Sequence, residues 1–258
     1  MKSIRLITIV FAFSICLPQL RADNYRHTYA VIVAVADYQY SEPGAGDLRY
    51  TINDARLFYQ FLRSPVGGAV PDENIVVLLD RNATRTRILA ALSQTFRRAT
   101  ANDRVVFYFS GHGRHGYLLP YDVQTYRNLI SYRELKDSFG TTRAKNKLCF
   151  IDACYANSIQ KPARKPAPEV EGLNVAIMSS SQNFQTSQER GSLQQGVFSY
   201  HLIRGLAGGA DYDQNKVVTI QELHTYVYGK VRSDTRGEQV PHTWGKFDLD
   251  MPVALLGR

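Results

Sequence analysis

Five short apolar runs punctuate the chain: Tyr29–Val35, Ile75–Leu79, Val105–Phe109, Leu148–Ile151 and Val175–Met178. Each is rich in β-branched or aromatic residues, and each is apolar at successive rather than alternate positions. Runs of that kind suit strands covered on both faces. Between them the apolar spacing changes to three and four. Asn53-Asp54 opens one such stretch, with Ala55, Leu57, Phe58, Phe61 and Leu62 on a single stripe. Thr84 stands before another, carrying Ile88, Leu89, Leu92 and Phe96, and Ser131 to Phe139 is a third. These patterns, with hydroxyl or amide side chains at their starts, predict amphipathic helices. Further on, Val197–Leu206 and Thr219–Val231 read as helices as well. Strand and helix alternate, so the expected class is α/β, with a mostly parallel central sheet and helices on both faces. In such sheets the active site lies beyond the carboxyl ends of the strands.

Two segments break the pattern. Residues 159–172, IQKPARKPAPEVEG, hold three prolines and no periodicity, which marks an exposed linker. It divides a larger part, 23–158, from a smaller part, 173–258, that completes the same sheet. At the other end, a basic start, an apolar run from Leu6 to Leu17 and a small residue at Ala22 have the layout of a secretory signal peptide over 1–22. The apolar run is short for a membrane span, and a retained anchor is the alternative. Cys16 would suit a lipid anchor, but bulky Ile15 precedes it. The implied setting is secreted or periplasmic, with no membrane attachment after the leader is removed.

Charge changes the picture little. Without Lys2, Arg5 and Arg21 of the leader, the formal net charge falls from +8 to +5, and the remaining basic residues are scattered. No basic stripe is interleaved with stacking aromatics, so nucleic acid is not an expected partner. Cysteines matter more. Beyond the leader only Cys149 and Cys154 remain, too few for a disulfide framework and without zinc-ligand spacing. Neither a metal nor a cofactor is expected.

The chemistry concentrates at two strand ends. YFSGHG puts His112 just past one apolar run, and FIDACYA puts Cys154 just past another. A cysteine attacks as its thiolate, and a neighbouring imidazole can hold or take the proton. Gly111 and Gly113 leave the His112 ring open, and Gly113 lets a carbonyl approach the backbone. The N–H groups of Gly113 and Cys154 are candidates for an oxyanion hole. Cys149, within its strand, reads as an inert buried side chain.

SGHG followed by DAC resembles the caspase-like cysteine peptidases: caspases, metacaspases and their bacterial relatives. The likeness extends through LRYTINDARLFYQFL, LLPYD, GVFSYHLIRGLAGGADYD, TIQELHTYV and VPHTW, the last three looking most like bacterial caspase-like domains. It implies a caspase-like fold, a Cys–His dyad with Cys154 as nucleophile and His112 as general base, and an endopeptidase acting on peptides or proteins. It also implies substrate contacts. Asp152, two residues before the nucleophile, matches a residue lining the S1 pocket; Asp54 and Ser110 match two more. Two carboxylates in a narrow pocket favour a cationic P1 side chain and disfavour an acidic one, so cleavage after arginine or lysine is expected. Asp54 has the alternative role of an acid at a helix N-terminus, and Asp152 that of a hydrogen bond to nearby loop backbone. A catalytically silent domain that binds a partner peptide, or a peptidase with another P1 preference, are the rival readings.

The likeness has gaps. Metacaspases usually continue Cys-His-Ser-Gly, where this chain has Cys154-Tyr155-Ala156-Asn157. Of their activating calcium cluster only Asp122 has a counterpart, and it matches poorly. DYDQNKVVTIQE spaces Asp211, Asp213, Asn215 and Glu222 like a calcium loop, but Lys216 occupies the place of the turn glycine, so a degenerate loop is expected. In the family the segment after the nucleophile is often cut by the enzyme itself. Here Lys161 and Lys165 precede prolines, which leaves the bond after Arg164 as the candidate. The oligomeric state is not legible.

Overall fold

The continuous apolar runs do become strands of one sheet, buried on both faces except at the edge strand Ile75–Leu79, where only one neighbour covers the strand and Val77 is exposed. The computed structural model describes residues 25–40, 47–114, 116–124, 127–153, 175–181 and 187–257. The leader over 1–22, Cys154 and the linker over 159–172 with Arg164 lie outside the described residues. In chain order the elements are β1 (Thr28–Ala34), α1 (Thr51–Arg63), β2 (Ile75–Leu79), α2 (Arg85–Arg97), β3 (Arg104–Ser110), β4 (Gly113–Arg114), β5 (Tyr117–Leu118), β6 (Ile130–Ser131), α3 (Tyr132–Gly140), β7 (Asn146–Asp152), β8 (Val175–Ser179), β9 (Glu189–Arg190), β10 (Gln195–Gly196), α4 (Val197–Arg204), β11 (Val217–Thr219), α5 (Ile220–Asp234), β12 (His242–Trp244) and β13 (Pro252–Leu255). Six strands form the main sheet in the order β12-β8-β7-β3-β1-β2. All its pairings are parallel except that of β12 with β8. Among the described residues no helix is long and apolar enough to cross a membrane.

Successive side chains of a strand point to opposite faces, and the core divides accordingly. Ala30, Ile32, Val106 and Tyr108 pack with Phe58 of α1, Phe198 of α4 and Val227 of α5. Val31, Val33, Val105 and Phe107 pack with Leu92 and Phe96 of α2 and Phe139 of α3. Burying the larger of these side chains contributes about 1.5–3 kcal/mol each. Phe58 stacks on Tyr108 with ring centroids 4.4 Å apart, which seats α1 against the middle of the sheet.

Helix starts follow local chemistry. Thr84 accepts from the Arg87 N–H ahead of α2, and Ser131–Glu134 and Thr219–Glu222 close reciprocal caps on α3 and α5. Asp122 accepts from the Arg85 N–H at 2.8 Å, a cap on α2. Several element ends differ from the sequence reading by one to three residues, and two of them have a clear local cause. α1 begins at Thr51 rather than Asn53, behind Tyr50, which offers no side-chain cap. α4 ends at Arg204, because a wider turn over Gly205–Gly209 follows, with Gly208 at φ 113°. Only glycine takes that backbone without strain.

Candidate active site

Strands β3 and β7 run side by side in a register that pairs Ser110 with Asp152, so their carboxyl ends stop level. The tie continues one residue on, where the Gly111 N–H donates to the Asp152 carbonyl at 3.1 Å. A Cβ at Gly111 would stand 3.0 Å from both the Tyr38 hydroxyl and the Phe109 ring, so a larger residue here would have to push those side chains aside. His112 comes next. Its N–H donates to Tyr38 Oη at 2.7 Å, its carbonyl accepts from the Leu119 N–H at 3.0 Å, and its ring lies 5.2 Å from the Tyr38 ring. The main chain at His112 is therefore held on both sides. Gly113 is buried and opens β4 opposite Leu118. Cys154, by count two residues beyond Asp152, lies outside the described residues.

Three of the expected site residues converge beside His112. Asp54 comes from the first turn of α1, Ser110 from the end of β3 and Asp152 from the end of β7. With Thr51, His112 and Gly196 they line one narrow cleft, which Glu189 also borders. Asp54 is 1% exposed and Asp152 5%. Asp54 accepts from the Gly196 N–H at 3.1 Å and from Ser110 Oγ at 3.3 Å. Asp152 accepts from Ser187 Oγ, from the Ser199 N–H at 3.2 Å and from Ser199 Oγ at 2.6 Å. Tyr108 Oη lies 2.6 Å from Ser199 Oγ and extends this chain inward.

Those bonds orient the acids without neutralising them. Among the described residues, no lysine or arginine forms an ion pair with either one. Burial pushes the Asp54 carboxyl well above the usual carboxylate range, and the Asp152 charge pushes it further. Burial also raises Asp152, against the pull of its serine partners. A pair of buried like charges is the arrangement that resists full ionisation. Both acids converge on Gly196, where a Cβ would stand 2.6 Å from Asp152 Oδ2 and 3.2 Å from Asp54 Oδ2. The backbone there is ordinary extended chain, so this glycine is required for space rather than for conformation.

Asp54 thus sits within a helix's first turn, as one reading of the sequence had it, but spends its hydrogen bonds on Gly196 and Ser110. Asp152 bonds to α4 and Ser187 rather than to neighbouring loop backbone. Gly196, Ser187 and Ser199 were missed because they come from 35 to 142 residues away along the chain. Their partial signal was the GVFS stretch, in which Gly196 and Ser199 stand at the start of a helix. Cys149 is a buried free thiol whose pKa burial pushes up, in keeping with an inert side chain.

The acidic loop is a different object. Carboxylate oxygens of Asp211, Asp213 and Glu222 lie within 4.8 Å of one another. Much of their capacity is used internally: Asp211 accepts from the Lys216 N–H, Asp213 from the Asn215 N–H, and Glu222 caps α5. Lys216 makes the left-handed turn itself, at φ 68°.

Comparison with known proteins fits this architecture. A probable protease from a Desulfuromonadales bacterium is 32% identical over 131 residues, covering 42% of this chain. The match covers 16% of that relative's own length. The crystal structure of a Geobacter sulfurreducens protein matches with a TM-score of 0.62 over 89% of this chain and 99% of its own, at 16% identity, which is a likeness of fold. The family model of the caspase domain matches residues 27–248. That span takes in all six strands of the main sheet, and on that ground the chain belongs to the caspase-domain family of peptidases.

Proposed function

We propose that this peptidase is an exported cysteine endopeptidase that cleaves after arginine or lysine, with Cys154 as nucleophile and His112 as general base. The observation that carries the reading is the level ending of β3 and β7 beside a buried acid pair with no cationic partner among the described residues. Counting two residues on from Ser110 and from Asp152 gives His112 and Cys154, so the shared register supports a meeting of the two side chains. The leader pattern over 1–22 supports the exported setting.

In this reading His112 takes the proton of Cys154 Sγ, and the thiolate attacks the carbonyl carbon of the P1 residue. The developing oxyanion is met by the N–H groups of Gly113 and Cys154. His112 then gives its proton to the leaving amine, and the C–N bond breaks. Water, deprotonated by His112, attacks the thioester; the acid product leaves and the thiol is restored. The P1 cation lies against Asp54 and Asp152, with Ser110 between them. Its arrival supplies the opposite charge that the pair lacks, which favours binding of the ionised site. Self-cleavage, where it occurs, falls after Arg164 in the linker and gives fragments 23–164 and 165–258.

The test is turnover of a fluorogenic arginine peptide by the native chain and three variants. Cys154→Ala and His112→Ala each abolish turnover with circular dichroism unchanged, while Cys149→Ala retains it. Native-rate turnover by Cys154→Ala would overturn the mechanism.

A further inference from the structure

Thr51 lines the same cleft as Asp54, Ser110, Asp152 and Gly196. It is 4% exposed, and its hydroxyl has no hydrogen-bond partner among the described residues. That is unusual for a helical threonine, whose hydroxyl ordinarily returns to a carbonyl three or four residues back. Thr51 is the first residue of α1, so the residues that would supply such a carbonyl lie outside the helix. A buried hydroxyl left unpaired is a cost that native structures rarely carry without a reason. Thr51 and Asp54 stand at i and i+3, on one face of α1.

We propose that Thr51 is a specificity-determining residue: its hydroxyl accepts a hydrogen bond from the guanidinium of a P1 arginine and sets arginine above lysine. The assignment rests on the acidic-pocket reading. Both carboxylates approach the cleft with much of their acceptor capacity already used by Gly196, Ser110, Ser187 and Ser199. A lysine ammonium is a compact charge with three donors, which the acid pair serves well. A guanidinium is a planar fork with five donors and gains from an acceptor on a further side. The hydroxyl that lysine leaves unpaired is the one that arginine satisfies. One hydrogen bond to a charged group corresponds to roughly a tenfold difference between the two substrates.

The experiment compares kcat/KM for matched peptides ending in arginine, lysine and aspartate with the native chain, Thr51→Val and Thr51→Ser. Native protein favours arginine over lysine by about tenfold. Thr51→Ser, which keeps the oxygen, preserves that ratio. Thr51→Val, which keeps the branched shape, brings the ratio close to one, mainly through a higher KM for the arginine peptide. A native ratio near one, or a Thr51→Val ratio equal to the native one, overturns the assignment while the preference for basic over acidic peptides still stands. A native enzyme that cleaves the aspartate peptide as well as the arginine peptide overturns both the assignment and the pocket reading beneath it.

Discussion

Buried charge flanks strand β3 at both ends, its own Arg104 at the start and, beside Ser110 at the finish, Asp54 of α1 and Asp152 of β7, and on the proposed reading the two ends serve opposite purposes. At its start, Arg104 is 2% exposed. Its guanidinium donates to Tyr25 Oη at 2.8 Å, Thr28 Oγ1 at 3.1 Å and the carbonyls of Val253 at 2.7 Å and Gly67 at 3.4 Å, and it lies 3.9 Å over the Tyr25 ring. One fork thus ties β3 to three other segments, at Tyr25–Thr28, Gly67 and Val253. At the other end Ser110 joins Asp54 and Asp152, whose bonds hold them in place around a cleft but leave like charge beside like charge. Buried charge whose donors are spent on the protein's own segments acts as a staple. On the proposed reading, buried charge that is oriented yet has no ion-pair partner among the described residues is directed at something that arrives from outside.

The comparison breaks most visibly in the staple. Arg104→Met removes the donors and takes from the buried Val253 and Gly67 carbonyls the guanidinium that serves them. The expected loss is about 3 kcal/mol or more, read as a lower urea midpoint with an unchanged slope. A loss below about 1 kcal/mol would show that these bonds are dispensable.

The acid end should respond with the opposite sign. A carboxyl whose folded pKa is raised binds its proton more tightly in the folded state than in the unfolded one. Its contribution to stability is therefore present below the ordinary carboxylate range and is lost as pH rises through the raised value. Ionising both acids together therefore costs stability. Asp54→Asn keeps an oxygen for the Gly196 N–H and removes one of the two charges. It should raise stability at pH 7, and the gain should shrink as pH falls toward 4. Melting curves of both proteins across that range check the prediction; an Asp54→Asn deficit at pH 7 would contradict it.

How legible these two ends were differs for a physical reason. The strands announced themselves because a buried parallel sheet needs unbroken apolar runs. Reactive residues just past those runs were conspicuous for the same reason: His112 follows an apolar run and cannot belong to it. Helix α1 was placed two residues late because Tyr50 caps nothing with its side chain, while Asn53 and Asp54 look like caps and are not. The staple was invisible, since Arg104 reads as a polar residue flanking a strand and its partners are scattered from Tyr25 to Val253. The partners of the acids were equally hidden. Gly196 matters only because two carboxylates from distant segments approach it, and no local pattern encodes that.

The central claim is that the acid pair awaits a cation, and the most direct measurement is the P1 profile of the native chain beside Asp152→Asn. Fluorogenic peptides matched except for a terminal arginine, lysine, aspartate or asparagine are compared by kcat/KM. The native chain should favour the two basic peptides, and Asp152→Asn should lose roughly 2–5 kcal/mol of transition-state stabilisation toward them with little change in its melting temperature. Equal cleavage of the arginine and aspartate peptides by the native chain, or a native profile retained by Asp152→Asn, would contradict the account.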